Sequence, residues 1–335
     1  MDDATFESVS APDEQSREAV VSALAQLQPM GAGIGRLTEV AAWLAACQGQ
    51  VPAAALQRCR AVVFAGDHGV ARLGVSSLPL ELSVQRAEAL LVGGGVANVA
   101  AREAGASIRV VDVSLDHEAW GEERVSRSSG SIDREDAMSP EQFARALEIG
   151  RRVADEEIDG GADLLIPGDL GVATTTVAAA VMGAFTRTEP VAIVGPGVGV
   201  SDEMWKVKVA AIRDAMFRVR GQVSTPLDTL RMISSPDFVA LVAFIAQAAA
   251  RRTPMLLDGA LVTAAAYVAE MLAPGVRGWL WAGQLTPEPS QLIALQAMDL
   301  TPLLALDMTA GQATGALTAL PLVKAAAEMV AEQLA

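Results

Sequence analysis

Short aliphatic runs alternate with Ala-rich segments of helical length along most of this chain. We interpret these runs as strands, at residues 61–65, 107–113, 164–167, 191–194, 255–257, 278–281 and 303–306. Strands that alternate with helices form mainly parallel sheets with right-handed crossovers. Only 4% of the residues are aromatic, so the core must consist of small aliphatic side chains, as in parallel sheets. The sequence therefore predicts a three-layer α/β fold whose mainly parallel sheet is flanked by helices.

The segments outside this alternation predict an arm and two domains. Residues 1–17 are acidic and polar, which predicts a flexible arm and is unlike a signal peptide. Residues 18–60, broken by a Gly-rich loop at 28–35, have helical spacing. We expect them to pack with 317–335 as a smaller helical domain formed by both chain ends. The remaining residues, 61–316, are predicted to form the parallel α/β domain.

The charge and the cysteines argue against several classes of protein. The net charge is −15, whereas binding to nucleic acid or to an anionic membrane needs clustered Lys and Arg. Cys47 and Cys59 lie outside any Cys/His cluster, so no metal site is predicted, and lone thiols fit a reducing cytosol. No uncharged apolar run reaches 18 residues, so no membrane span is expected. The sequence thus predicts a cytoplasmic protein without nucleic-acid or membrane partners.

Several predicted strands end in glycine and polar side chains. These turns are Gly66-Asp67-His68, Gly168-Asp169-Leu170-Gly171, Gly195-Pro196-Gly197-Val198-Gly199 and Asp258-Gly259. In open α/β sheets, ligands bind outside the carboxyl ends of the strands, and glycine lets the backbone approach a ligand closely. The turns therefore predict a ligand-binding crevice at one edge of the sheet.

Three threonines begin the Ala/Val-rich segment that follows the Gly168 turn. Thr174, Thr175 and Thr176 can cap the predicted helix, bind a phosphate at its N-terminus, or do both. The Gly-x-Gly-x-Gly run at 195–199 lacks the spacing of a dinucleotide-binding fingerprint and comes too late in the chain for one. Capping and phosphate binding both remain open for the threonines.

Four motifs in this order resemble one family over residues 18–330. They are AGDHGV at 65–70, GDLGVATTT at 168–176, LLDG at 256–259 and ATGALTALPL at 313–322. The family is that of the nicotinate-nucleotide:dimethylbenzimidazole phosphoribosyltransferases (CobT). The resemblance implies transfer of the phosphoribosyl group from nicotinate mononucleotide to dimethylbenzimidazole or a similar base. The products are α-ribazole phosphate, used for the lower ligand of cobalamin, and nicotinate. The resemblance also implies a homodimer without metal or cofactor, and a heterodimer remains possible.

The resemblance implies a set of site residues as well. The substrate-binding positions it gives are Asp67, His68, Ser76, Gln85, Gly171, Thr175, Thr176, Gly197, Gly199, Lys208, Asp258, Gly311 and Thr314. Among these, Lys208 is expected to meet the substrate phosphate as a point charge. Several of these positions have a second interpretation. Asp67 and His68 can instead fix the shape of their own turn, Asp258 can hold a strand–helix turn, and Lys208 can be a surface lysine.

The position of the family's general base differs in this chain. The attacking imidazole must lose a proton, and in the family a Glu in a Gly-Glu-Gly-Thr-Gly turn accepts it. Here that turn reads Gly311-Gln312-Ala313-Thr314-Gly315, and an amide is no base at neutral pH. Asp169 is a possible substitute base, unless it only caps the helix that follows.

Other positions also depart from the family's pattern. They are Leu78 for a Tyr, Thr309 for an Arg, Val198 for a Thr, the turn 173–176, the loop 29–32, and the segment 284–291, which keeps Glu288 and Pro289. These changes leave an alternative open. The chain can also be a catalytically silent paralogue that binds a nucleotide, or that pairs with an active subunit and regulates it.

Overall fold

The computed structural model describes residues 6–27, 33–195, 197, 199–221 and 225–335. The strands in these residues are β1 (Cys59–Gly66), β2 (Ala106–Ser114), β3 (Leu164–Leu170), β4 (Met255–Asp258) and β5 (Leu280–Gln284). The helices are α1 (Glu14–Gln26), α2 (Leu37–Gln48), α3 (Leu82–Leu91), α4 (Val96–Ala104), α5 (Pro140–Asp159), α6 (Thr174–Thr186), α7 (Pro190–Ile193), α8 (Asp202–Val219), α9 (Pro226–Ile233), α10 (Pro236–Ala250), α11 (Ala260–Leu272), α12 (Pro289–Ala297) and α13 (Thr314–Leu334). Short 3₁₀ helices cover Gly69–Leu73 and Val276–Trp279.

The strands of the described residues form one five-stranded sheet in the order β2-β1-β3-β4-β5. Every neighbouring pair is parallel, and helices flank the sheet. This confirms the predicted α/β fold. Strand β2 lies on one side of β1, and β3, β4 and β5 follow on the other side. The direction in which strands are added to the sheet therefore reverses between β1 and β3. Ligands bind outside the carboxyl ends of the strands at such a reversal.

The core is continuous from the sheet into α10. Phe64 of β1 packs edge-on against Phe244 of α10, with the ring centroids 5.2 Å apart. Almost all of α10 is buried, because its sequence is apolar around the whole helix. Gly150 of α5 allows the close crossing of α10, since a Cβ there would lie 2.1 Å from the Ala240 carbonyl oxygen. The sheet and α10 thus form the packed core that supports the loops at the strand ends.

The N-terminal segment is attached to the rest of the protein from residue 6 onward. Val9 N donates to the Pro274 carbonyl at 2.8 Å, and Trp279 Nε1 donates to the Ser10 carbonyl at 2.9 Å. The chain enters α1 at Glu14, so the expected arm over 1–17 is wrong for residues 6–17. Residues 1–5, and residues 28–32 of the predicted loop, lie outside the described part of the chain. Helices α1, α2 and α13 pack together, and the domain boundaries remain a prediction.

Two of the predicted strands do not form. Residues 191–194 largely belong to α7, where Pro190 occupies a first-turn position whose fixed φ favours a helix start. Residues 303–306 contribute only an isolated parallel bridge between Leu304 and Gln284. Both runs have four apolar residues, and so short a run does not distinguish a strand from a helix or a loop.

Helix α13 meets the length and hydropathy expected of a membrane span. It has 21 residues, and 56% of its most apolar window is buried inside the protein. A core helix of a globular domain has the same properties, and α13 packs against β4 and β5. These properties are therefore weak support for a membrane segment.

Candidate active site

A cavity lies at the carboxyl ends of the strands, beside the reversal of strand order. Five loops and the starts of α6 and α11 surround it. Its lining residues are Val75, Ser76, Leu78, Arg86, Asp169, Leu170, Gly171, Ala173, Thr174, Thr175, Gly197, Val200, Lys208, Gly259, Ala260, Leu261, Thr286, Glu288, Thr309, Ala310, Gly311 and Gln312. The fold therefore brings eight of the predicted site residues to one cavity: Ser76, Asp169, Gly171, Thr175, Gly197, Lys208, Gly311 and Gln312.

Two turns of the same form, Gly-x-Ala-Thr, contribute to the lining of the cavity. One spans 171–174 before α6, and the other spans 311–314 before α13. In each turn the alanine is left-handed, with φ 72° at Ala173 and 62° at Ala313, and Gln312 has φ 59°. Residues other than glycine rarely adopt this region, and such strain clusters at functional sites.

Asp169, which lies in β3 just before the first turn, is hydrogen-bonded to the second turn. Gln312 N donates to the Asp169 carbonyl oxygen at 2.9 Å, which ties the second turn to the end of β3. Gly168 makes this approach possible, because a Cβ there would lie 2.8 Å from Ala313 N. The side chains of Asp169 and Gln312 are both buried and both line the cavity. The family's base position and its possible substitute thus lie side by side.

Asp169 has the protonation behaviour of a candidate base. Burial raises the pKa of its carboxyl, and the charges of Asp258 and Asp237 raise it further, to about 7. The charge of His68 and a hydrogen bond from Thr174 oppose this rise. A carboxyl that titrates near neutral pH can take a proton from a substrate and release it again.

Lys208 supplies a buried positive charge on α8. The side chain is 1% exposed, so the interpretation as a surface lysine is wrong. Its Nζ donates to Thr175 Oγ1 at 2.8 Å, at the start of α6. Burial lowers the pKa of Lys208, and the nearby Glu288 carboxylate opposes that effect. An ammonium group beside a helix N-terminus suits a phosphate ligand.

Glu288 connects the lysine to the glycine-rich loop. Its Oε1 accepts from Gly197 N at 3.2 Å, whereas Oε2 is buried and has no partner among the described residues. A side chain at Gly195 would displace the Glu288 carboxylate, because a Cβ there would lie 2.2 Å from Glu288 Oε2. Gly199, with φ 64°, approaches the Ser77 hydroxyl, next to Ser76 of the cavity.

The threonines at the start of α6 do not cap it. The N-cap residue is Ala173, which makes no side-chain cap bond. Thr174 and Thr175 instead line the cavity, whereas Thr176 is fully buried and its Oγ1 has no partner in the described structure. Helical capping is therefore wrong for these residues, and phosphate binding remains a prediction.

Asp258 and Thr314 organise the start of α13. Asp258 Oδ2 accepts from Gly315 N at 2.9 Å, and Thr314 Oγ1 donates to the Gly311 carbonyl at 2.6 Å. Burial raises the pKa of Asp258 to about 6, although backbone hydrogen bonds such as that from Gly315 oppose the rise. The geometry favours the structural interpretation of Asp258, and its role in substrate binding stays a prediction.

Asp67, His68 and Gln85 line a second cavity beside the first. Asp67 Oδ2 accepts from Asp116 N at 2.9 Å, which ties the β1 turn to the loop after β2. His68 is buried, and its Nδ1 lies 2.7 Å from the Val172 carbonyl oxygen. These contacts favour the interpretation that both residues fix the turns, and their role in substrate binding remains a prediction.

The residues that depart from the family's pattern fall mostly on the same cavity. Leu78, Thr286 and Thr309 line it. Gln291 braces this part of the loop, since its Oε1 accepts from both the N–H and the hydroxyl of Thr286, at 2.7 and 2.6 Å. Val198 and residues 29–32 lie outside the described residues, so their place is not stated.

Two cavity-associated residues were not found by reasoning from the sequence. Arg86 lines the cavity from α3, and Asp237 lies fully buried in the first turn of α10 behind it. The signal for Asp237 was a single acid at the start of a long apolar segment, which is also typical of an ordinary helix N-terminus. Its partner His68 is 169 residues away, so no local pattern connects them.

Comparison with known proteins gives a consistent picture. The profile of the family described as Phosphoribosyltransferase matches residues 9–334. The chain is 56% identical over 325 residues to the nicotinate-nucleotide–dimethylbenzimidazole phosphoribosyltransferase of Corynebacterium efficiens, covering 97% of this chain and 88% of that protein. It is 48% identical to the enzyme of that name from Mycobacterium avium, covering 96% and 93%. The crystal structure of CobT from Thermus thermophilus superposes with a TM-score of 0.90 at 36% identity, covering 95% of this chain and 96% of that one.

Proposed function

The chain belongs to the nicotinate-nucleotide–dimethylbenzimidazole phosphoribosyltransferase family, and we propose that it catalyses the family's reaction. It transfers the phosphoribosyl group of nicotinate mononucleotide to dimethylbenzimidazole or a similar base. The observation that carries the proposal is the single cavity lined by Lys208, Asp169 and Gln312, with the Lys208 ammonium 2.8 Å from Thr175 Oγ1. A phosphate-binding group and a proton acceptor thus lie on one substrate site.

The chemistry needs little from the protein at the leaving group. Nicotinate leaves from a pyridinium, so its departure neutralises a positive charge. The acceptor nitrogen forms a bond to C1′ as the bond to the pyridinium nitrogen breaks, and the acceptor's other nitrogen then loses its proton. Holding donor and acceptor in line and removing that proton are the tasks of the site.

Asp169 is the group we propose as the base. Gln312 occupies the position of the family's Glu and can only hydrogen-bond the acceptor, because a neutral amide does not take a proton at neutral pH. The Asp169 carboxyl lines the same cavity, and its pKa of about 7 makes the charged form available in the cytosolic pH range. Lys208, with Thr175 and the first turn of α6, holds the substrate phosphate.

The test is product formation by the purified chain. Nicotinate mononucleotide is incubated with dimethylbenzimidazole, adenine or a phenol, and the products are separated by chromatography and identified by mass. The proposal expects α-ribazole phosphate from dimethylbenzimidazole or the corresponding α-nucleotide from another acceptor. Absence of product from every acceptor would refute it.

We also propose a cytoplasmic homodimer that uses no metal or cofactor and binds neither nucleic acid nor membrane. Its support is the pair of free, buried cysteines, which fit a reducing compartment, and an exposed apolar group at the α3–α4 corner. Val92 there is 83% exposed, and Leu91, Val96 and Val99 accompany it. Such a patch is typical of an interaction surface. Light scattering should give twice the chain mass, and Val92→Asp should yield the monomer.

A further inference from the structure

His68 is enclosed between two hydrogen-bond acceptors under the turn that carries Thr175. Its Nδ1 lies 2.7 Å from the Val172 carbonyl oxygen, and its Nε2 lies 3.3 Å from Asp237 Oδ2. A carbonyl oxygen can only accept, so Nδ1 carries a hydrogen. An ionised carboxylate can also only accept, so Nε2 carries one as well. The geometry therefore requires an imidazolium as long as Asp237 is ionised.

The charges around the ring agree with this protonation state. Asp237 faces it from α10, Asp67 from the turn after β1, and Asp169 from the end of β3. Burial lowers the pKa of His68. The charge and hydrogen bond of Asp237, the bond to Val172 and the charge of Asp67 outweigh that effect and raise the pKa to about 9. Both ring nitrogens of His68 thus have an acceptor, whereas Asp237 Oδ1 is buried with no partner among the described residues.

The Val172 carbonyl lies next to the cavity, between the lining residues Gly171 and Ala173. It directly precedes Ala173, which has a φ of 72°, and Val172 N donates to Ser83 Oγ at 3.0 Å. The neighbouring Gly171 lies so close to the β1 turn that a Cβ would come within 2.0 Å of the Gly66 carbonyl oxygen. The turn at 171–174 therefore packs directly against the turn after β1, and the hydrogen bond from His68 to the Val172 carbonyl stabilises this contact.

We propose that Asp237 is a positioning residue of the active site. It holds His68 with both ring N–H groups directed at acceptors, and His68 fixes the Val172 carbonyl. The turn from Gly171 to Thr175 is thereby kept in the shape that receives the substrate phosphate. The kinetic consequence rests on the proposed phosphoribosyl transfer, whereas the protonation state of His68 does not.

Nitrogen-15 NMR of the histidine rings tests the first step without any assay of activity. The chain contains two histidines, His68 and His117, so a His117→Gln variant assigns both signals. We expect both ring nitrogens of His68 to be protonated at pH 7.5 and to lose a proton only near pH 9. In Asp237→Asn, the ring should be neutral at pH 7.5, with its hydrogen on Nδ1. A neutral ring in the unaltered protein, or an imidazolium retained in Asp237→Asn, would overturn the proposal.

Kinetics tests the second step. Asp237→Ala removes the partner of Nε2, and we expect the KM for nicotinate mononucleotide to rise about tenfold, as for the loss of one hydrogen bond to a charged group. Asp237→Asn keeps the shape and an amide that can bond Nε2, so it should restore KM to within about threefold. An unchanged KM in a folded Asp237→Ala protein contradicts the positioning role, since a merely structural aspartate would affect stability alone. If the alanine variant does not fold, Asp237→Ser, which also removes the carboxylate partner of Nε2, takes its place in the same KM measurement, with the same expected and contradicting results.

Discussion

Replacing Asp169 by Asn removes the proposed base while keeping the shape of the side chain. The carboxyl is buried at the end of β3, and its pKa is about 7. A base acts in its deprotonated form, so the rate of the unaltered enzyme should rise with pH through that value. The expected kcat/KM is half-maximal near pH 7 and falls to about a tenth of its plateau one pH unit below it. The plateau itself should be reached above about pH 8.

The size of the loss follows from the role of the group. A positioned general base contributes roughly 10²–10⁴ in rate, so Asp169→Asn should lower kcat by that factor at pH 8. Unfolding does not explain such a loss. The folded pKa of Asp169 is raised above its unfolded value, so its stabilising contribution is present below about pH 4 and is lost as the pH rises through 7. At pH 8 the asparagine variant should be at least as stable as the unaltered protein.

The assay is chromatographic detection of α-ribazole phosphate between pH 5 and 9, with thermal unfolding followed in parallel. Asp214 lies on α8, is paired with Arg213 and has a side chain that is 47% exposed, so Asp214→Asn is the matched control and should change neither quantity. The substrate phosphate has a second pKa near 6 and can add an acidic limb of its own, but that limb would persist in the variant. If Asp169→Asn retains most of the activity, or keeps the limb near pH 7, Asp169 is not the base.

Three further predictions concern the other groups of the cavity. Gln312→Glu places a carboxylate beside the acceptor and should raise kcat about tenfold or more at pH 8, whereas Gln312→Ala should not; equal rates would show that residue 312 does not limit turnover. Lys208→Met should weaken binding of nicotinate mononucleotide at least tenfold, measured by calorimetry, with the exposed Lys206→Met on the same helix as a control that stays unchanged. Ala313→Gly relieves a φ of 62° and should raise the free energy of unfolding by roughly 0.5–1 kcal/mol. Ala325→Gly, inside α13, should lower the free energy of unfolding by about 1 kcal/mol. A change of the same sign in both variants would contradict backbone strain at Ala313.

The sheet was predictable because its strands carry their own signal. Residues 61–65 and 164–167 are aliphatic runs that end in Gly-polar turns, and both prove to be central strands. The run at 191–194 is also apolar, but it follows Pro190, which favours a helix start, and four residues are too few to show a hydrophobic period. The attachment of residues 6–13 depends on backbone partners near residue 274, which an acidic, polar sequence does not reveal.

The site was predictable only where a motif marks it. Asp169, Lys208 and Gln312 follow from the family's motif order, and the fold brings them to one cavity. The roles of Asp258 and His68 depend on which atoms meet across the fold, such as Asp258 with Gly315 N. Asp237 has no motif, because its importance lies in a contact with a residue 169 positions earlier in the chain.

The most direct test of the account is the stoichiometry of a single reaction at pH 8. Purified protein is mixed with nicotinate mononucleotide, and nicotinate is measured with and without dimethylbenzimidazole. The account predicts that nicotinate appears only with the acceptor present, in an amount equal to the α-ribazole phosphate formed. Nicotinate released without an acceptor, or no product despite bound nucleotide, would contradict phosphoribosyl transfer at this cavity.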